Sequence, residues 1–116
     1  MPPTPPPARV HSYEENGTFV VAASGEFDLD EQEQLLAALG EADRRNLPAT
    51  AVDLSGVTFA DSSLLNALLH AWRRHRTSGR RLILAGPLHP TVTQLLTVTG
   101  TLEHFEIAET LSEALA

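Results

Sequence analysis

The alternation of hydrophobic and polar positions along the chain predicts a short hairpin followed by helices and buried strands in turn. The Asn16-Gly17 pair between two alternating segments is a strong hairpin signal. The segments 50–54 and 80–85 are too apolar to have a solvent face, which is typical of parallel strands covered by helices. The predicted strands cover residues 10–13, 18–23, 50–54, 80–85 and 105–107.

Apolar residues at helical spacing predict four helices between and after these strands. The Gly-Glu-Phe-Asp run at 25–28 is expected to break the second strand, and Asp28 or Asp30 to cap the first helix, which ends at Leu47-Pro48. The other helices are expected at 61–77, 90–98 and 109–116. The expected inward-facing residues are Leu35, Leu36 and Leu39 in the first helix, Leu65, Leu68, Leu69 and Trp72 in the second, Val92, Leu95 and Leu96 in the third, and Leu111 and Leu115 in the last.

The order of these elements predicts an α/β fold, in which a small mixed β-sheet, made of an N-terminal hairpin plus parallel strands, is covered by about four helices. Five prolines in the first eight residues predict a disordered, extended tail over residues 1–8. No other change of composition divides the chain, so residues 9–116 are expected to form one domain.

The composition narrows the classes of partner. A net charge of −7 argues against direct nucleic-acid binding, which depends on Lys and Arg side chains that neutralise phosphates. No apolar run approaches the roughly 20 residues that span a bilayer, and the first residues lack the basic and apolar parts of a secretory signal. We therefore expect a cytoplasmic protein without membrane contact, present as a monomer or weak dimer.

All eight positively charged side chains are arginines, and five of them lie within residues 73–81. Two interpretations of this basic cluster are open. The cluster could complement the negative end of a helix that stops near residue 78, or it could form a docking patch for an acidic partner. The five residues are Arg73, Arg74, Arg76, Arg80 and Arg81.

The segment 52–65 combines a buried strand, a turn and an Asp-Ser-Ser sequence that opens an apolar helix. Asp61 is a suitable N-cap, and Ser62 and Ser63 then occupy the first helical turn. Free backbone N–H groups and the helix dipole favour an anion there, so the fold would tolerate a phosphate on a hydroxyl. The same pattern also fits a helix cap without further function.

A polar stripe follows this helix from its N-terminus to its basic end. The stripe is either a docking face or simply the solvated side of an amphipathic helix. Its members recur at steps of three and four residues and are Ser63, Asn66, His70, Arg73 or Arg74, and Thr77.

The sequence carries no recognisable constellation for catalysis or for metal binding. The five histidines are scattered, and none forms a nucleophile elbow with a serine of the Asp-Ser-Ser sequence. His70 lies on the order of 10 Å from Ser63 along the helix, which is too far for direct proton transfer. His70 and His75 point in different directions, and no phosphate-binding glycine loop is present. We therefore expect no catalytic residue, no metal and no cofactor.

Three separated motifs resemble the STAS domain of bacterial anti-sigma factor antagonists, also called anti-anti-sigma factors. The first is Gly-Glu-Phe-Asp at 25–28. The second is the strand 52–55 with Phe-Ala-Asp-Ser-Ser at 59–63, and the third is the strand 79–86 with the helix that follows it to Gly100. The resemblance covers residues 9–116 and agrees with the order of elements predicted above.

The resemblance implies a protein-binding switch rather than an enzyme. In this family the unphosphorylated domain binds an anti-sigma factor that is also a serine kinase, and thereby frees a sigma factor for transcription. The kinase phosphorylates the second hydroxyl of the motif, Ser63 here, with Ser62 as the less favoured target, and a PP2C-type phosphatase removes the phosphate. The implied partner-binding residues are Asp28, Asp61, Ser62, Ser63, Leu64, Asn66 and His70.

Leu64 departs from the family pattern, which usually has glycine directly after the second hydroxyl. A leucine side chain at this position is expected either to crowd the approach of the kinase or to add an apolar contact. The departure leaves a second function open, namely a STAS module that is not phosphorylated and serves as a scaffold or as a sensor of a small ligand.

Overall fold

The computed structural model describes residues 8–116, so the predicted tail of residues 1–8 lies outside the described residues except for Ala8. Nine regular elements follow one another in this part of the chain, together with a single turn of 3-10 helix at Leu102–His104. They are β1 (Arg9–Glu15), β2 (Thr18–Phe27), α1 (Leu29–Arg45), β3 (Ala49–Ala60), α2 (Ser62–Ser78), β4 (Arg81–Ala85), α3 (Pro90–Val98), β5 (Glu106–Ala108) and α4 (Leu111–Leu115).

The five strands form one sheet in the order β1-β2-β3-β4-β5. β1 and β2 are antiparallel and are joined at Asn16 and Gly17, whose positive φ angles of 53° and 74° suit a two-residue hairpin turn. All the other neighbours are parallel, and a helix connects each parallel pair, with the 3-10 turn added after α3 in the last connection. The predicted α/β fold with a mixed sheet is confirmed.

β2 and β3 are both longer than the sequence predicts. The Gly-Glu-Phe-Asp run does not break β2, because Gly25 pairs with Val57 and Phe27 pairs with Ala60 as the strand continues. Register shifts on either side of Gly25, which has a φ of 91°, bend the strand without ending it. β3 likewise runs past the predicted end at residue 54, since its second half pairs with the second half of β2.

The sheet has a large core on one face and a small one on the other. Successive residues of a strand point to opposite faces, so Val52 and Leu84 belong to the large core under α1, α2 and α3, whereas Ala51 and Ile83 belong to the small core under α4. The fully buried side chains of the large core include Phe27, Leu35, Leu54, Leu64, Leu68 and Leu96.

The buried faces of the helices differ in part from the predicted ones. Leu36 is 37% exposed, because α1 buries a narrow stripe through Leu35, Leu39 and Ala42. In the second helix the buried stripe is broader, and Leu69 and Trp72 lie half-buried at its edge. Leu95, Leu111 and Leu115 are also half-buried rather than enclosed. The buried residues of α2 are Ser63, Leu64, Leu65, Ala67, Leu68, Ala71 and His75.

Among the described residues, no helix is both long and apolar enough to cross a membrane.

Candidate functional site

The carboxyl ends of β2 and β3 bring the two predicted acidic residues to one edge of the sheet. Phe27 and Ala60 are paired across these neighbouring parallel strands, and each is followed directly by an aspartate. Asp28 is the N-cap of α1, and Asp61 is the N-cap of α2. The first turns of two helices, with their positive dipole ends, therefore lie beside each other at this edge.

Asp61 holds the first turn of α2 in place. Its carboxylate accepts a hydrogen bond of 2.8 Å from the backbone N–H of Ser63, and its carbonyl accepts one of 3.2 Å from the N–H of Leu64. A side-chain cap of this kind stabilises a helix by about 1 kcal/mol. Because Asp61 is still partly exposed, its carboxylate also contributes negative charge to the surface beside Ser62.

Asp28 forms a capping box at the start of α1. Its carboxylate accepts from the N–H of Asp30 at 3.0 Å, and the carboxylate of Glu31 accepts from the N–H of Asp28 at 3.1 Å. Because the two carboxyl groups are close enough to share a proton, the pKa of Asp28 lies below its ordinary value and that of Glu31 above it. Asp28 is exposed and therefore adds a second acidic group to this edge.

The two serines of the motif differ in their access to solvent. Ser62 is exposed, whereas Ser63 is only 6% exposed. The side-chain amide of Gln32 in α1 donates a hydrogen bond of 3.1 Å to the carbonyl of Ser63, which ties the two helices together over this residue. The hydroxyl of Ser63 makes no hydrogen bond to any residue from 8 to 116. The structure thus brings Asp28, Asp61 and Ser62 together on the surface and covers most of Ser63, although no side-chain oxygen among the described residues is both buried and without a partner.

Leu64 points into the large core and is fully buried. Its side chain therefore neither crowds the surface of the motif nor offers an apolar contact there, in contrast to both expectations from the sequence. The reason is the helical register: Leu64, Leu68, Ala71 and His75 recur at steps of three and four residues along the buried side of α2.

Asn66 and His70 lie on the solvent side of α2, as the polar stripe predicts. Arg73 and Thr77 continue this exposed side toward the C-terminus of the helix. Ser63 does not belong to the stripe, because α1 covers the first turn of α2 at that point. The predicted docking face consequently begins at Ser62 and Asn66 rather than at Ser63.

Two exposed apolar side chains flank the motif, and the sequence reasoning missed both. Leu29, the first residue of α1, is 69% exposed, and Phe59, near the end of β3, is 46% exposed. Leu29 directly follows Asp28, and Phe59 precedes Asp61 by two residues, so both lie at the same edge of the sheet as Ser62. The sequence did contain a signal for Leu29. It begins a helix but is followed one turn later by polar residues, which indicates that it does not face the core.

The arginine cluster is used largely within the fold. Arg80 is nearly buried and donates to Asp43 of α1 at 2.5 Å, while Arg74 pairs with the same carboxylate. Arg81 pairs with Glu106 of β5, and the guanidinium of Arg76 lies 5.3 Å from the ring centre of Trp72. Burial raises the pKa of Asp43, but the hydrogen bonds from Arg80 and Arg74 outweigh this effect and hold the pKa below its ordinary value. Ion pairs and a cation–π contact therefore involve four of the five arginines, but among the five only Arg76 lies in the last turn of α2, where cations would complement the helix end.

Within residues 8–116, no group of three or more His, Asp or Glu side chains is placed to hold a metal ion. The edge around Ser62 is an exposed surface with acidic and apolar side chains and an exposed serine. Such a surface is suited to contact with another protein, and to a change of charge at that hydroxyl.

Several solved structures are similar to this fold. An anti-sigma factor antagonist from Mycobacterium paratuberculosis is 27% identical, with a TM-score of 0.79 over 94% of this chain and 92% of that one. The phosphorylated form of SpoIIAA from Bacillus is 23% identical, with a TM-score of 0.70 over 94% and 96% of the two chains. A serine-to-glutamate variant of RsbS from Moorella thermoacetica is 21% identical, with a TM-score of 0.77 over 92% and 94%. The last two likenesses show the fold alone.

A comparison with curated proteins gave no match. The family model described as "Mlab, STAS domain" matches residues 11–108, which include most of β1, the other four strands, the first three helices and the whole Asp-Ser-Ser edge. Together with the fold, this match shows that the chain belongs to the STAS family.

Proposed function

We propose that the protein is an anti-sigma factor antagonist that binds an anti-sigma factor with serine kinase activity and is released by phosphorylation of the Asp-Ser-Ser motif. The 27% identical structure from Mycobacterium paratuberculosis is named as an anti-sigma factor antagonist, which supports the role. The observation that carries the switch is the exposed hydroxyl of Ser62 at the N-terminus of α2, between two acidic caps.

We propose that Ser62, the more exposed of the two serines, carries the phosphate, whereas the family resemblance implies Ser63. Phosphoryl transfer needs the acceptor oxygen in line with the leaving group of the nucleotide, so the hydroxyl must be reachable from solvent. Ser62 meets this requirement in the folded protein. Ser63 is only 6% exposed, beside the contact from Gln32 to its carbonyl, so a kinase has far less access to it than to Ser62.

The charge of a phosphate explains both the survival of the fold and the release of the partner. Phosphorylation adds about −1.5 to −2 charges, which the helix dipole and the free N–H groups of the first turn stabilise. At a protein interface the same charge, beside Asp61 and Asp28, meets like-charge repulsion and loses its hydration. Each ~1.4 kcal/mol of this penalty lowers the affinity about tenfold.

The burial of Leu64 bears on the alternative of a scaffold or small-ligand sensor that is not phosphorylated. That alternative rests on a leucine in place of glycine beside the hydroxyls. Since the leucine side chain lies in the core, the surface around Ser62 is as open as it would be with glycine. The switch is therefore the better supported of the two functions.

The remaining components follow from this mechanism. A PP2C-type phosphatase removes the phosphate and restores binding, and the cycle runs in the cytoplasm, where the kinase draws on ATP. The protein itself contributes binding and an acceptor hydroxyl, without a cofactor.

The assignment is tested by the mass of the protein isolated from its own host, with phosphopeptide mapping. We expect one added phosphate on the wild type and on Ser63→Ala, and none on Ser62→Ala. Ser112→Ala changes an exposed serine in α4 and is the matched control. A phosphate that persists on Ser62→Ala and maps to Ser63 would show that the less exposed serine is the target, as the family resemblance implies. The absence of phosphate on every form would favour the scaffold.

A further inference from the structure

A groove runs between α1 and α2 over the C-terminal halves of both helices. It consists of two adjoining cavities of about 460 and 480 Å³, which share Asp43, His70 and Arg74 in their walls. His70 lies eight residues after Ser62, or about 12 Å along the helix, so the groove lies away from the motif. It shares His70, Arg73 and Thr77 with the polar stripe of α2 but contains none of the Asp-Ser-Ser residues.

The groove is positively charged in an otherwise acidic protein. Arg74 and Arg80 share the single carboxylate of Asp43, and Arg73 has no ion pair with any residue between 8 and 116. Arg44, in the opposite wall, pairs with Glu41. Two positive charges are therefore left without a neutralising carboxylate, although the chain carries a net charge of −7. This asymmetry favours an acidic ligand.

The floor of the groove is apolar and open. Leu36 is 37% exposed there, and Leu39 and Ala71 form the buried surface beneath. Exposed leucine between cationic walls fits a ligand that has apolar side chains as well as carboxylates. A free inorganic anion would leave this apolar surface in contact with water.

Gly40, in the C-terminal half of α1, lines the groove without a side chain. A glycine inside a helix is about 1 kcal/mol less favourable than alanine. Among the described residues, an added Cβ would meet only the guanidinium of Arg44, at 3.8 Å, so packing within the domain does not require glycine here. The missing side chain instead exposes the helix backbone, which allows another chain to approach closely.

We propose that this groove binds an acidic, amphipathic segment of a protein partner, with its apolar side chains against Leu36 and Gly40 and its carboxylates toward Arg73 and Arg74. The proposal goes beyond the proposed function, because the groove contains no part of the Asp-Ser-Ser motif. Binding there does not depend on the phosphorylation state of Ser62.

The direct test is an NMR titration of the full chain with a synthetic helical peptide of about four turns, with leucine on one face and glutamate on the other. We expect chemical-shift changes centred on Gly40, His70 and Arg74, and binding that weakens as salt is added. A peptide with lysine in place of glutamate should not bind. Equal binding of the lysine peptide, or shifts centred elsewhere, would overturn the proposal. The same shifts with inorganic phosphate alone, without a further effect of the peptide, would show an anion site instead.

Two variants locate the interaction. Arg73→Glu should lower the affinity for the glutamate peptide at least tenfold, whereas Arg9→Glu, the same charge change at an exposed position of β1, should leave it unchanged. Gly40→Leu should fill the groove and abolish binding while the spectrum of the folded protein persists. Unchanged affinity in both groove variants would refute the site. Ser62→Asp should bind the peptide like the wild type, which separates this outcome from any failure of the phosphorylation switch.

Discussion

The imidazole of His75 and the hydroxyl of Thr50 form a buried hydrogen bond of 2.7 Å that joins α2 to β3. The other ring nitrogen, Nδ1, lies 2.7 Å from the carbonyl of Ala71 and must donate to it, because a carbonyl only accepts. Nε2 therefore accepts the proton of the threonine hydroxyl. The neutral ring is satisfied on both sides, and a second proton on Nε2 would break the bond to Thr50.

This arrangement predicts an acid-sensitive contribution to stability from His75. Burial, with a smaller effect of Arg80, lowers the pKa of His75 below its ordinary value. Below about pH 6.5 the unfolded chain takes up a proton that the folded protein does not. The free energy of unfolding therefore decreases as the pH is lowered, by up to about 1.4 kcal/mol per pH unit. Urea unfolding between about pH 5 and pH 7.5 measures this slope. It should be shallower in His75→Gln and unchanged in His70→Gln, which alters an exposed ring; equal slopes in all three proteins would contradict the prediction.

A second prediction separates the two roles of Asp61. Asp61→Ala removes the cap of α2 and should lower the free energy of unfolding by about 1 kcal/mol. Asp61→Asn keeps an oxygen that can accept from the N–H of Ser63 and should change stability by only a few tenths of a kcal/mol, while it removes the charge. Chemical denaturation of the three proteins gives both values. Equal losses in the two variants would mean that charge, and not capping, is what Asp61 supplies to the fold.

The unequal burial of the two serines predicts opposite effects of a carboxylate. Ser62→Asp places a negative charge at the exposed first turn of α2 and should leave the thermal stability unchanged or slightly higher. Ser63→Asp places the same charge beneath α1 and should lower the free energy of unfolding by about 2 kcal/mol or more. Ser63→Asn is the matched neutral control, since it adds nearly the same volume. Similar melting curves for the two aspartate variants would show that Ser63 is as accessible as Ser62.

The close approach of β2 and β3 beyond their bulge predicts a steric effect at Gly56. A Cβ at this position would lie 2.7 Å from the Cβ of Ser24, which is closer than packed atoms tolerate. Gly56→Ala should therefore destabilise the domain by about 1–3 kcal/mol. Ser24→Gly in the same chain removes the opposing atom and should restore part of the loss, which a double-mutant cycle would reveal. Strictly additive effects of the two substitutions would exclude this contact as the cause.

The fold was predictable to the extent that it depends on local patterns. Apolar runs and capping residues act within a few positions, so the order of elements, the hairpin turn and the N-cap role of Asp61 could be predicted from the sequence. The lengths of β2 and β3 could not, because residues such as Gly56 and Val57 belong to no alternating strand pattern. They are held in β3 by pairing with a strand about 30 positions away in the chain.

The residues on the surface of the site could be predicted from the sequence, but the burial of the residues next to them could not. Asp28, Asp61 and Ser62 lie together because each directly follows a strand end or opens a helix. The low exposure of Ser63 could not be predicted, because its surroundings include α1, whose Gln32 hydrogen-bonds to the Ser63 carbonyl from 31 positions away in the chain. His75 is a similar case, since its position on the buried stripe of α2 could be counted from the sequence but its partner Thr50 could not.

The neighbouring positions of Ser62 and Leu64 determine how far a signal can travel. Leu64 anchors the first turn of α2 in the core, so a covalent change at Ser62 alters the outer surface without a rearrangement of the helix. Only a molecule that contacts this surface would then respond to the change, and no conformational change has to pass through the sheet. A domain built in this way can pass through many rounds of modification and reversal while its interior stays the same.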